Sequence, residues 1–164
     1  FDGTLPHAFS AHPKRDPLTG ELHTMTYWWG WGNQLQYVVV GTDGRVRKTV
    51  DIPVPGMVMV HDMSLTERYV VVYDQPVLVD LDLAFAGRFP FRWSDTYGNR
   101  VGLMPREGTA DDIVWVDVPV GYVFHPMNAY DLPDGRVVFV TGFSEHQRRF
   151  LSEHQAKKEL KSAR

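Results

Sequence analysis

The sequence predicts an all-β protein on three observations. Short runs rich in β-branched and aromatic residues recur along the chain, glycine-bearing turn dipeptides separate them, and no long amphipathic helix intervenes. Strands spaced by roughly 8–12 residues fit a sandwich, a barrel or a propeller.

The runs cover residues 24–29, 35–40, 46–52, 57–63, 69–73, 77–81, 113–118, 121–124 and 137–141. Asp43-Gly44 lies between the second and third, and Asp134-Gly135 precedes the last. Each supplies the positive-φ glycine that a tight hairpin needs. Thr19-Gly20 and Gly32-Asn33 mark further turns. Residues 85–112 mix Gly, Pro, Arg and aromatic residues and read as a loop, with a strand expected around 102–106. A connection of that length is expected to cover or line something. From residue 142 the composition changes: Glu, His, Gln, Lys and Arg replace the β-formers, which predicts a charged tail over 142–164 that is helical or disordered.

Composition excludes several functions. The chain has 164 residues, 43% of them hydrophobic and 23% charged, ordinary for a globular domain. A net charge of -3 offers no positive field for phosphates, so no nucleic acid partner is expected. No cysteine is present, which rules out thiolate metal sites and cysteine nucleophiles. It also fits a reducing compartment, so a cytoplasmic location is expected. No run approaches 18 apolar residues, the length of a spanning helix. Phe1 in place of methionine, with no leader after it, suggests a start inside a longer protein. Neither a Gly-x-Ser-x-Gly elbow nor a His-Glu-x-x-His helix occurs, and Gly30-Trp31-Gly32 lacks the third glycine of a dinucleotide fingerprint.

Among seven histidines, His12, His61 and His125 each border a strand-like segment beside a proline or an aspartate. Their separations are 49 residues (12 to 61) and 64 residues (61 to 125). A four-stranded propeller blade takes roughly 40–50 residues, so the spacing suits one histidine per blade. Like-placed residues on successive blades converge on the central axis, where three imidazoles would make a metal site. Imidazole suits iron, zinc, copper and nickel, and spacing does not choose among them. Taken singly, each histidine is more often a core or surface residue than a ligand. His7 and His23 flank the His12 segment and could support its ligand, but surface placement is the preferred reading for both, and His146 and His154 are read as solvated.

The segments around these three histidines resemble the carotenoid cleavage oxygenase family, which includes the lignostilbene dioxygenases. Residues 11–21 (Ala11-His12-Pro13-Lys14-Arg15-Asp16 and onward), residues 60–69 (Val60-His61-Asp62-Met63 and onward) and residues 124–131 (Phe124-His125-Pro126-Met127 and onward) resemble the family's first three iron-histidine segments, in the family's order. The likeness covers about residues 1–141. It implies a partial seven-bladed β-propeller over 1–141, with the charged tail lying outside it. It also implies one Fe(II) ion held by four histidines, three of them His12, His61 and His125, with the fourth absent from this chain. The implied reaction is cleavage of a conjugated carbon–carbon double bond of a carotenoid, apocarotenoid or stilbene by dioxygen, giving carbonyl products.

The implied partners are dioxygen and an apolar polyene or stilbene, with no obligate protein partner; peripheral membrane contact of the full-length parent stays open. Trp28, Trp29, Trp31, Phe91 and Trp93 are available to line an apolar tunnel, although core packing explains any single one of them better than substrate contact does. Asp62 and Asp131 are read as turn or capping residues. With one histidine and several blades missing, the chain by itself is expected to be inactive and poorly stable. The competing reading is a degenerate propeller that serves as a binding or scaffold module without catalysis.

Overall fold

The computed structural model describes residues 1–142. The tail expected over 142–164 therefore lies, from residue 143, outside the described residues. Strands dominate what precedes it.

β1 (Lys14–Arg15), β2 (Leu22–Tyr27), β3 (Gln34–Val40) and β4 (Val46–Pro53) form an antiparallel meander in that order. A second chain of strands follows: β5 (Ser64–Leu65), β6 (Tyr69–Asp74), β7 (Val77–Val79), β8 (Phe91–Trp93), β9 (Arg100–Pro105) and β10 (Val114–Asp117). Of these, β5, β6, β9 and β10 form a second antiparallel meander, while β7 and β8 make a separate two-stranded hairpin inserted between β6 and β9. Helix α1 (Leu81–Phe85) joins the two strands of that insertion. Finally β11 (Pro126–Asp131) pairs with β12 (Val137–Thr141). Repeated meanders of this kind, with almost no helix, are consistent with a β-propeller.

Why the sheets stack is visible in β6. Val70 and Val72 face the first meander and share a core with Met25, Leu35, Tyr37 and Ile52. Val71 and Tyr73, on the opposite face, pack with Val101, Val123, Ala129 and Phe139 toward the β11–β12 hairpin. The two-residue period thus buries both faces of a central strand, and each fully buried Val or Leu contributes about 1.5–3 kcal/mol. Outermost β4 instead alternates half-buried and exposed positions, as a strand with one wet face must. The turns behave as predicted: Gly44 (φ 78°) and Gly135 (φ 91°) close hairpins.

Several segments depart from the sequence reading. Residues 57–63 are extended but make only an isolated bridge, Val58 to Leu78. Residues 121–124 are buried without joining a sheet, because the Val123 N–H is taken by the Gln75 side-chain oxygen at 2.8 Å instead of a neighbouring strand. Trp29 to Trp31 turn as a 3-10 helix and so end the first long strand at Tyr27. The stretch read as a loop over 85–112 also contains β8, which was not expected, while the strand expected around 102–106 is the central strand β9, whose Gly102 lies under Trp115 and Ile113. β11 was not anticipated, since Pro, Asn and Asp are poor strand formers.

Candidate metal centre

Each histidine sits at the entry to the first strand of a sheet. His12 precedes β1 by two residues, His61 precedes β5 by three, and His125 immediately precedes β11. Those three strands line one cavity of about 540 Å³, walled by Lys14, Asp16, Ser64, Thr66, Arg106 and Asp131 among others. Proline follows His12 and His125 directly, and a residue before proline is pushed toward extended backbone.

The three rings lie close together. His12 Nε2 lies 3.0 Å from His61 Nε2 and 3.3 Å from His125 Nε2. One ligand atom from each residue falls within 4.8 Å of the others. The ring centroids are 4.7 to 4.9 Å apart, and the planes are tilted by 50° to 82°.

This arrangement fits a cation. Three imidazole nitrogens gathered within 4.8 Å of one another could hold one cation. The donor set contains no thiolate and no carboxylate, which suits a borderline metal such as ferrous iron. Burial holds the His61 pKa below its ordinary value, and the neighbouring His12 and His125 push it the same way against the opposing pull of Asp62. A neutral imidazole is what a metal ligand must be.

The remaining residues divide plainly. His7 is exposed and meets Trp31 edge-on at 5.5 Å, as the surface reading expected. His23 is a correction: it is 1% exposed, with Nδ1 2.5 Å from the Tyr37 hydroxyl and Nε2 3.1 Å from Arg106. Arg106 can only donate, so His23 Nε2 accepts and Nδ1 carries the proton. Arg106 also binds Asp16, which makes a buried polar group between the first two sheets. Nothing in the spacing of residues 16, 23 and 106 announced it. His146 and His154 lie outside the described residues.

Asp62 is more than a turn residue, because it is ion-paired with Lys14 as well as accepting from the Met63 N–H. Asp131 does cap a turn, that between β5 and β6. Of the candidate tunnel aromatics, Trp28, Trp29 and Phe91 line an apolar cavity of about 530 Å³ together with Tyr27, Leu81 and Phe85. Trp93 packs inside with Met59, Val77 and Tyr122, so core packing accounts for it. Aromatic packing runs from the histidines toward that cavity: Phe124 meets His61 at 5.4 Å, Tyr122 meets Phe124 at 4.7 Å, and Tyr27 and Phe91 pack on the Tyr122 cluster.

Sequence reasoning missed Ser10, which bonds to the backbone of both His12 and His61. The available signal was a serine two residues before an N–H that needs a partner, a common local bonding pattern.

The fold and the imidazole cluster define a β-sheet protein in which three histidines stand close enough together to hold a metal ion. The family model described as retinal pigment epithelial membrane protein matches residues 1–163. The chain is 39% identical to the carotenoid cleavage oxygenase of Mycobacterium tuberculosis, covering 92% of this chain and 38% of that protein. It is 34% identical to the carotenoid 9,10(9',10')-cleavage dioxygenase of Crocus sativus, covering 86% of this chain and 26% of the relative. The crystal structure of the lignostilbene dioxygenase of Pseudomonas brassicacearum superposes with a TM-score of 0.71 at 34% identity, over 80% of this chain and 28% of that one. The chain belongs to the carotenoid cleavage oxygenase family. It spans well under half the length of these relatives.

Proposed function

We propose that the chain is the segment of a seven-bladed propeller dioxygenase that supplies three of four histidine ligands, His12, His61 and His125, to one Fe(II) ion. The observation that carries the reading is the convergence of three Nε2 atoms from three separate sheets. The fourth ligand of this reading is a histidine outside these 164 residues. When bound, ferrous iron supplies the activation of dioxygen that closed-shell side chains lack.

The residues themselves have simpler tasks. The three imidazoles would hold the cation, and its remaining positions would be available to the fourth histidine, dioxygen and substrate. Burial keeps His61 unprotonated. Phe124 and Tyr122 exclude water beside it, which favours an apolar reactant. The Trp28, Trp29 and Phe91 cavity offers aromatic surface suited to a polyene or stilbene chain. The likeness to carotenoid and lignostilbene dioxygenases supports the reaction, in which dioxygen cleaves a conjugated double bond of a carotenoid, apocarotenoid or stilbene to give carbonyl products. These 164 residues alone, with three ligands, are inactive.

The test is made on the full-length protein that carries these residues, purified under reducing, anaerobic conditions. A single iron per chain is expected, lost in His61→Ala, together with oxygen-dependent bleaching of a carotenoid or loss of stilbene fluorescence. An iron-free parent whose properties His61→Ala leaves unaltered overturns the reading and leaves a binding or scaffold propeller in its place.

A further inference from the structure

One hydroxyl joins two of the three imidazole-bearing segments. Ser10 Oγ accepts from the His12 backbone N–H at 3.2 Å and donates to the His61 carbonyl at 3.1 Å. A hydroxyl has one proton and two lone pairs, so it serves both partners at once. Ser10 is itself half-buried.

A second link lies on the other side of the same pair. Lys14 Nζ is 2.8 Å from each oxygen of Asp62, whose side chain is 3% exposed. Ser10 and Lys14 thus flank His12 two residues away on either side, and their partners are His61 and the residue after it. The backbone is fastened on both sides of the 3.0 Å gap between His12 Nε2 and His61 Nε2.

That gap needs fastening. One tautomer lets His12 and His61 share an N–H···N hydrogen bond across that gap. Presenting both lone pairs to a cation gives up that bond, so contacts away from the rings must keep the two segments at ligand spacing. Ligand sites whose outer contacts are removed lose affinity because their donors must then be ordered during binding.

We propose that Ser10 is a positioning residue of the cation site: its hydroxyl fixes the spacing of His12 and His61 before the cation binds, with the Lys14–Asp62 pair closing the opposite side. The inference rests on the reading of the three histidines as ligands. Ser10 touches neither the cation nor the imidazole nitrogens, and acts only through the backbone of two ligand residues.

The experiment compares Ser10→Thr with Ser10→Val in the full-length protein, using Co(II) as the probe. Threonine and valine have nearly the same shape, so the pair isolates the hydroxyl, and Ser10→Ala serves as a third variant. Three quantities are measured: Co(II) affinity, the visible ligand-field spectrum, and urea stability of the metal-free protein. Ser10→Thr is expected to keep the parental affinity and spectrum. Ser10→Val is expected to bind Co(II) roughly ten- to hundredfold more weakly, with a shifted spectrum. Equal affinities and spectra for the two variants overturn the inference, as does a valine defect that is matched by an equal loss of metal-free stability. His61→Ala is the control: if it binds Co(II) as the parent does, the ligand reading falls, and the Ser10 inference with it. If it binds weakly while the Thr and Val variants agree, the Ser10 inference alone fails.

Discussion

Asp131 reaches across 65 residues of sequence to Thr66, accepting from its hydroxyl at 3.1 Å, while its second oxygen accepts the Arg68 N–H at 2.9 Å. The carboxylate at the end of β11 thereby caps the turn between β5 and β6. Because β11 begins directly after His125, this contact anchors the hairpin that carries the third imidazole to the sheet that carries the second.

Asp131→Ala removes both bonds and is expected to cost about 1–2 kcal/mol, the usual range for losing a capping carboxylate. The loss should be local before it is global. Hydrogen exchange on 126–141 is expected to quicken more than on β6 or β9, and equal acceleration throughout would contradict the anchoring role.

Lys14→Met deletes the cation facing Asp62 and keeps most of the aliphatic stem. A nearly buried carboxylate then loses its partner, although the half-buried Lys14 end of the pair admits some solvent. Destabilisation on the order of 1–3 kcal/mol is expected in urea titration. The double variant Lys14→Met with Asp62→Asn should recover part of it, since no charge is then left stranded.

Acid should unfold the contact between the first two sheets in two steps. Burial lowers the His23 pKa from its ordinary 6.5, and the Arg106 guanidinium adds to that. The unfolded chain therefore takes up a proton that folded His23 refuses. His23's share of stability is complete above about pH 6.5 and is lost as pH falls through the lowered value. Burial alone would raise the Asp16 pKa, but the Arg106 and Leu18 hydrogen bonds outweigh it and bring it down to about 2 from 3.8. Asp16's share is therefore complete above about pH 4 and is lost as pH falls toward 2. Urea midpoints followed against pH should lose the upper step in His23→Gln and the lower one in Asp16→Asn.

Gly102→Ala tests the least forgiving position in the second sheet. A Cβ there would stand 2.8 Å from both Ile113 Cγ2 and the Trp115 ring. Overpacking of this kind is expected to cost about 1–3 kcal/mol, read as a lower urea midpoint with an unchanged slope. A neutral substitution would mean that Trp115 swings aside freely, against its stacking under Arg100 at 4.0 Å.

How far the sequence could be read depended on whether a residue's partner was local. Runs such as 35–40 and 137–141 announce themselves through β-branched residues, and Asp43-Gly44 and Asp134-Gly135 fix their hairpins within four residues. The apolar runs 57–63 and 121–124 look the same in sequence, yet their backbone groups bond to the inserted hairpin and to Gln75, so neither joins a sheet. His23 was read as a surface residue because its neighbours in sequence say nothing of Tyr37 and Arg106, which bury it.

By itself the sequence determined the all-β class, the hairpin turns, the family and the three histidines to watch, since each of these is written in residue types and short spacings. Only the tertiary structure decided that the imidazoles of residues 12, 61 and 125 lie together, that Ser10 bonds to the backbone of two of them, and that Asp16, His23 and Arg106 form a polar group between the first two sheets. The physical reason is that imidazole nitrogens meet within about 3 Å only when separate sheets stack in register, and that stacking depends on side-chain packing across long loops rather than on any local pattern.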